Sequence, residues 1–130
     1  DRYKENYNLL ITVPGLGLIT SMSVLTELDN NIMRFPNERS FVAILGLIPT
    51  CHDSGDRKVS GEKINRGNKH LGPLIVESCW IAIQRDIELS AYYSKCCQSM
   101  KPHKAIIKVA RKLACRAYAV LKTKARYALP

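Results

Sequence analysis

The chain has 130 residues, 46% of them hydrophobic and 24% charged, which is enough apolar material for one compact soluble domain. Its formal net charge of +9 is unevenly distributed. Residues 1–60 hold six Lys or Arg and seven Asp or Glu, whereas residues 61–130 hold fourteen and four. A basic half favours a polyanionic partner, most simply nucleic acid, although a solvated, charge-rich helical surface would give the same count.

Cysteine spacing and hydropathy exclude two further classes of protein. The five cysteines are scattered without a CxxC motif, which predicts reduced, partly buried thiols rather than a zinc site. Leu9–Thr26 has 18 residues without a charge, but Pro14-Gly15-Leu16-Gly17 interrupts it, so two short helices are expected and no membrane span. The chain opens with DRYKENYN, without an initial Met or a signal peptide, and is expected to be a fragment of a longer cytoplasmic protein.

Hydrophobic periodicity predicts an all-α or mainly α fold, a compact helical domain with a polar loop near its middle. The predicted helices cover Tyr3–Thr12, Ile19–Leu28, a segment from Pro36-Asn37-Glu38 to Gly46, Gly72–Cys97 and His103–Lys124. The last helix is apolar on one side and basic mainly on the other, and its many alanines favour packing in a core over lying on a membrane. Residues 50–68 form the polar loop, with a short β-hairpin around Val59-Ser60-Gly61-Glu62 as an alternative there.

The first candidate phosphate site is the turn in LLITVPGLGLITSMSVL, where Pro-Gly-apolar-Gly between two helices is typical of a helix-hairpin-helix. Gly15 and Gly17 can adopt positive φ and let the chain approach a ligand closely. The free N–H groups at the start of the second helix can bind a DNA phosphate, aided by the helix dipole. The alternative is a tight turn whose glycines serve packing alone, because no Lys or Arg flanks it.

The second candidate is the polar loop, in which Ser54-Gly55 precedes five cations. Arg and Lys are the side chains that bind phosphodiesters, and glycine leaves a neighbouring hydroxyl accessible. Serine attacks only when its proton is removed and the developing charge is stabilised, and His52 is the nearest candidate base. The alternative is an ordinary turn in a basic loop, with Asp53, Asp56 and Glu62 balancing local charge rather than binding a metal.

Five short motifs occur in order between about Leu9 and Leu121. They are Val13–Gly17, Arg34-Phe35, Gly46–Pro49, Ser54-Gly55 and Arg66–Lys69. In this order and with these gaps, the chain resembles the C-terminal transposase domain of insertion-sequence transposases of the one-hundred-ten type, which are related to the Piv DNA invertases. It departs from the family pattern at Gly72-Pro73, where members usually carry a basic residue after the preceding leucine.

The resemblance implies a DNA recombinase that cuts and rejoins strands. Full-length members carry an N-terminal RuvC-like domain whose four acidic residues hold a divalent metal, expected to be Mg²⁺, and this domain is absent here. The C-terminal domain supplies a serine proposed to form a covalent phosphoserine link with DNA, and by motif position this serine maps to Ser54. Members act as homo-oligomers, some guided by a structured RNA, and a bacterial, nucleoid-associated protein is implied.

Residues 1–130 are therefore expected to form a single C-terminal transposase domain, inactive in isolation, with Ser54 as the catalytic residue. The expected DNA-binding residues are Gly15, Gly17, Arg57, Lys58, Lys63, Arg66 and Lys69. No metal or cofactor is expected within this domain, and no membrane partner. Two alternatives remain, a non-catalytic helix-hairpin-helix module that binds nucleic acid and a helical protein–protein interaction domain.

Overall fold

The computed structural model describes residues 3–47 and 71–127, and these ranges are mainly helical. The α-helices are α1 (Lys4–Leu10), α2 (Leu18–Leu28), α3 (Glu38–Ile44), α4 (Leu71–Arg85), α5 (Ile87–Cys97) and α6 (Pro102–Thr123), with a 3₁₀ turn at Ile32–Arg34. The predicted mainly α fold class is confirmed. The alternative of a β-hairpin around Val59–Glu62 falls outside the described residues.

Capping accounts for several of the helix ends, and the bounds of α1, α2, α3 and α6 lie within two residues of the predicted ones. The Asn37 side chain accepts a hydrogen bond from the Ser40 N–H at 2.9 Å and so starts α3. Asp29 and Lys124 adopt left-handed φ angles of 55° and 57° and end α2 and α6.

The prediction of one continuous helix over Gly72–Cys97 is wrong, because the chain breaks at Asp86. Asp86 has extended backbone angles (φ −119°, ψ 110°), and its carboxylate accepts hydrogen bonds from the N–H groups of Glu88 and Leu89. An aspartate at this position caps the start of a new helix. The apolar period runs through the break, which is why periodicity alone joined α4 and α5.

α6 is the central helix of the domain, since it packs against α1, α3, α4 and α5. One of its sides is buried throughout, as its amphipathic sequence predicted. The buried side chains are Ala105, Ile106, Val109, Ala110, Leu113, Ala114, Ala117, Tyr118, Val120 and Leu121. Small alanines at this spacing let neighbouring helices approach closely, and the core role predicted for this helix is confirmed.

After α6 the chain folds back towards α1. Lys124 Nζ donates to Asn6 Oδ1 at 2.7 Å, and the Tyr127 N–H donates to Thr12 Oγ1 at 2.9 Å. The Thr12 hydroxyl in turn donates to the Leu9 carbonyl at 2.6 Å. The C-terminal segment therefore holds the chain where α1 passes into the turn before α2.

Candidate nucleic-acid interface

α1 and α2 are joined by a turn at the Pro-Gly-apolar-Gly motif, so the predicted order of helix, turn and second helix is observed. The Leu16 N–H donates to the Val13 carbonyl at 3.1 Å, which closes the turn, and Gly15 adopts a left-handed φ of 95°. Val13 and Leu16 point into the core, with exposed fractions of 1% and 5%. The apolar residues of the motif thus anchor the turn, and Gly15 sets its backbone path. The expectation of a positive φ at Gly17 is wrong, because Gly17 has an extended conformation (φ −104°, ψ −165°) that does not require glycine.

The two glycines of the turn have different environments. A Cβ at Gly15 would lie 2.6 Å from the Ser78 carbonyl oxygen and 2.9 Å from the Ala82 Cβ, both on α4. Gly15 is therefore needed for the close approach of the turn to α4, as well as for its positive φ. A Cβ at Gly17 would meet nothing within 4 Å among the described residues, so this position is open to solvent.

Gly17 lies at the start of α2, where backbone donors are free. The N–H groups of Leu18, Ile19 and Thr20 have no acceptor among the described residues, and the first bond runs from the Ser21 N–H to the Gly17 carbonyl at 2.9 Å. No side chain caps this end. Three unsatisfied N–H groups at the positive end of a helix dipole form a surface suited to an anion.

The start of α2 is also rigidly placed and has no charged side chain of its own. The hydroxyls of Thr20 and Ser78 are 3.2 Å apart in a buried hydrogen bond between α2 and α4. Leu18 and Ile19 are 62% and 69% exposed. A ligand at this end would therefore meet backbone donors and apolar side chains, which suits phosphate contact without base-specific readout.

The second candidate site lies outside the described residues. This applies to the predicted nucleophile Ser54 and to Arg57, Lys58, Lys63, Arg66 and Lys69. The structure does define the described residues on either side of that segment. The buried Leu47 accepts a hydrogen bond at its carbonyl from Arg111 Nε at 2.6 Å, and a Cβ at buried Gly72 would lie 2.9 Å from the Leu45 carbonyl oxygen.

The residues that flank the undescribed segment, Leu47 and Gly72, therefore both lie close to the end of α3, and Leu47 contacts Arg111 of α6. The close contact at Gly72 also limits which side chains fit at this position. This residue faces the backbone at the end of α3, and a larger side chain there would force α3 and α4 apart. Position 72 is thus a packing position in this chain.

A buried polar cluster at the α4–α5 junction was missed from the sequence. Asp86 is 1% exposed and accepts hydrogen bonds from Arg116 and from the Tyr127 hydroxyl, the latter at 2.9 Å. Arg116 also pairs with Glu88. The Asp-Ile-Glu sequence carries a helix-start signal at Asp86, but Arg116 and Tyr127 are 30 and 41 residues away and nothing in the sequence links them to it.

The pKa of Asp86 is shifted by this cluster. Burial alone would raise it, but hydrogen bonds from Tyr127 and from the Leu89 N–H, together with the Arg116 guanidinium, lower the pKa below its ordinary value. Burial and the hydrogen bond to Asp86 raise the pKa of Tyr127 in the same contact. The cluster therefore contains an ionised carboxylate and a neutral phenol, and its role is to hold helices together.

Two of the described cysteines, Cys79 and Cys115, have thiols whose pKa is raised. Burial raises the pKa of the Cys79 thiol to about 12, and burial together with Glu38 raises that of Cys115 to about 11. Both thiols are thus protonated at neutral pH. Within residues 3–47 and 71–127, no three His, Cys, Asp or Glu side chains are grouped so as to hold a metal ion.

No helix in the described ranges is both long enough and apolar enough to cross a membrane.

Comparisons with known proteins agree on one family. Residues 7–94 match the family described as Transposase IS116/IS110/IS902 family. The chain is 31% identical over 81 residues to the transposase for insertion sequence element IS1328 of Yersinia enterocolitica, which is 62% of this chain and 24% of that protein. It is 32% identical over 72 residues to the transposase for insertion sequence element IS1111A of Coxiella burnetii, which is 55% of this chain and 20% of that protein. No solved structure matches the chain significantly.

The chain belongs to the IS116/IS110/IS902 family of transposases, since the family match covers well over half of it. The aligned parts make up 24% and 20% of the two curated relatives. The chain thus corresponds to a minor portion of each of these proteins. The family resemblance read from the five motifs is confirmed.

Proposed function

We propose that this chain is the DNA-binding and serine-supplying domain of a transposase, contributing to DNA strand cleavage and rejoining. Membership of the transposase family is the observation that supports this most directly. The structure adds an open helix N-terminus at Gly17, where three N–H groups have no acceptor among the described residues. The net charge of +10 over residues 61–130 supplies attraction to a polyanion.

In the proposed chemistry, Ser54 Oγ attacks the phosphorus of a phosphodiester. A bond forms between Oγ and phosphorus, the bond to one deoxyribose oxygen breaks, and the serine proton is taken by a base while the leaving oxygen gains one. Attack by a deoxyribose hydroxyl on the phosphoserine then rejoins the strands and restores the serine. The cations that would hold the phosphate are Arg57, Lys58, Lys63, Arg66 and Lys69.

The remaining parts of the proposal belong to the full-length protein. From the resemblance, the proposal assigns Mg²⁺ to the RuvC-like acidic domain of the full-length protein. When bound there, a divalent metal would stabilise charge on the attacking and leaving oxygens. A structured guide RNA and assembly into homo-oligomers are further features that the proposal takes from the resemblance.

The nucleophile is tested by trapping. The full-length protein is incubated with DNA carrying the ends of its element and with Mg²⁺, quenched with denaturant and analysed for DNA bound covalently to protein. An adduct mapped to Ser54 by mass spectrometry is the expected result. DNA binding without any adduct would favour a non-catalytic binding module. Binding that is absent or insensitive to salt would favour a protein–protein interaction domain, because each neutralised phosphate on duplex DNA contributes a log–log slope of about −0.9.

The proposed contact between a DNA phosphate and the N–H groups at the start of α2 is tested by changing Gly17 to Asp. The new carboxylate can accept hydrogen bonds from the free N–H groups of Ile19 and Thr20 and act as a helix cap, so the free energy of unfolding should rise by a few tenths of a kcal/mol, about 0.3. The same charge occupies and repels the proposed phosphate position, so affinity for duplex DNA should fall by about tenfold, the loss of one charge-assisted contact. Denaturant titration and fluorescence anisotropy measure the two effects.

The matched control is Gly17→Asn, which caps the helix in the same way but adds no charge. It should stabilise the fold similarly and reduce DNA affinity less than Gly17→Asp does. Equal affinity for wild type and Gly17→Asp would show that DNA does not contact the start of α2.

A further inference from the structure

The cations of α6 divide into those engaged in the fold and those that are free. The helix contains no Asp or Glu. In its C-terminal half, Arg116 pairs with Asp86 and Glu88, and Lys122 donates to the Tyr118 hydroxyl at 3.2 Å. In its N-terminal half, Lys104 and Lys108 make no ion pair or side-chain hydrogen bond with any residue of the described ranges. The free charge of α6 is therefore concentrated in its first three turns.

Lys104, Lys108 and Arg111 lie on one face of α6, at positions i, i+4 and i+7, and we call these three residues the basic face. With a rise of 1.5 Å per residue, they follow one another at intervals of about 6 and 4.5 Å along the helix. Among the described residues, the hydrogen bond of the Arg111 side chain is the one from its Nε to the Leu47 carbonyl. Its outer N–H groups remain available to a ligand.

The segment Phe35–Leu47, which contains α3, runs along the same side of α6 from Tyr118 to Arg111. Going backwards along α6, the Tyr118 hydroxyl donates to the Phe35 carbonyl at 2.8 Å, Cys115 lies against Glu38, and Arg111 binds Leu47. The described part of this segment ends at Leu47. The basic face therefore begins at Arg111, beside Leu47, and continues through Lys108 and Lys104 towards the N-terminus of α6.

The position of these cations is not explained by the stability of α6. The first turn of the helix contains no acidic residue, and Lys101 and Lys104 lie at its start. A cation near a helix N-terminus opposes the helix dipole and destabilises the helix. Positive side chains placed where the helix itself is positive make this end of α6 strongly attractive to an anion.

We propose that the basic face binds the sugar-phosphate backbone of duplex DNA. A row of three cations on a rigid helix is complementary to a polymer that carries one negative charge per nucleotide. The row begins at Arg111, which binds Leu47 beyond the end of α3. The inference rests on the proposed DNA-binding function and adds a second contact surface, distinct from the start of α2. Contacts of this kind position the duplex and do not read its sequence.

The test uses the double variant Lys104→Gln, Lys108→Gln of the full-length protein. The probe is a duplex DNA oligonucleotide of mixed sequence, and the dissociation constant is measured across a range of salt concentrations. Because two phosphate contacts are lost, the log–log slope should become shallower by about 1.8, with weaker binding at low salt. The matched control is Lys4→Gln, Lys95→Gln, which removes the same charge from exposed residues of α1 and α5 and should leave the slope unchanged.

The outcomes separate this inference from the function on which it rests. If wild type binds the duplex with a steep slope and the Lys104, Lys108 variant keeps that slope, the basic face is not a contact surface although the domain binds DNA. An equal change in the variant and its control would also overturn the inference, because it would reflect net charge alone. If the slope changes only with an RNA duplex as the probe, the partner is RNA and the proposal for DNA is wrong. If wild type itself binds no nucleic acid, the proposed function fails and the inference fails with it.

Discussion

Replacing Ser54 with alanine in the full-length protein is expected to abolish strand transfer while leaving DNA binding unchanged. The hydroxyl oxygen is the atom that bonds to phosphorus in the proposed reaction, and alanine has nothing to replace it. Removal of a catalytic nucleophile lowers the rate of an enzyme by about 10⁴-fold or more, and here the covalent intermediate cannot form at all. Strand transfer on element-end DNA and the denaturant-stable adduct should both disappear.

The matched control for this change is Ser60→Ala, which removes a hydroxyl from the same segment of the sequence. It should retain both the adduct and strand transfer. Binding of Ser54→Ala to DNA, measured by anisotropy at one salt concentration, should equal that of wild type because no cation is lost. Strand transfer that persists in Ser54→Ala would show that another group attacks the phosphate. Loss in Ser60→Ala alone would move the nucleophile to that position.

The sequence predicted those parts of the fold that depend on local pattern. Apolar residues at helical spacing located α2 and α6, and Asn37 and the Pro-Gly turn located the ends of α3 and α1. These signals act within one or two helical turns, so they can be read along the chain. The break at Asp86 lies within an unbroken apolar period, and its capping carboxylate is held by partners 30 and 41 residues away.

The candidate interface depended more on contacts that are distant in sequence. Gly15 and Gly17 looked equivalent in the motif, but only the packing of the turn against Ser78 and Ala82 shows that Gly15 is enclosed and Gly17 open. The cations of α6 also looked equivalent by periodicity. Which of them are engaged in the fold depends on partners outside α6, such as Asp86 for Arg116 and Leu47 for Arg111. The sequence pattern thus identified the candidate glycines and cations, and tertiary packing determines which of them are accessible to a ligand.

The buried cluster at Asp86 should give the largest loss of stability in the described part of the chain. Asp86→Ala leaves the Tyr127 hydroxyl and two N–H groups at the start of α5 without this acceptor, and it leaves Arg116 with the exposed Glu88 as its acidic partner. Removing one partner of a buried ion pair costs about 3–5 kcal/mol, and because Glu88 still pairs with Arg116 we expect a loss near the lower end of that range, about 3 kcal/mol. Urea denaturation of wild type and variant measures this difference. The matched control is Glu88→Gln, because Glu88 also pairs with Arg116 but is 59% exposed, so its loss should change the free energy of unfolding by less than about 1 kcal/mol.

The same cluster predicts how stability depends on pH. The pKa of Asp86 is lowered in the folded chain, whereas an unfolded aspartate titrates near about 3.9. Its stabilising contribution is therefore complete above that pH and is lost as the pH falls towards the lower, folded pKa. Asp86→Asn keeps a side chain that can cap α5 but cannot ionise, so its free energy of unfolding should fall less steeply than that of wild type below about pH 4. Parallel curves for the two proteins would show that folding does not lower the pKa of Asp86. A flatter dependence of stability on pH for Asp86→Asn would assign the acid sensitivity to the contact of Asp86 with Arg116 of α6 and with Tyr127. The Tyr127 N–H in turn donates to Thr12, so this contact also supports the turn between α1 and α2.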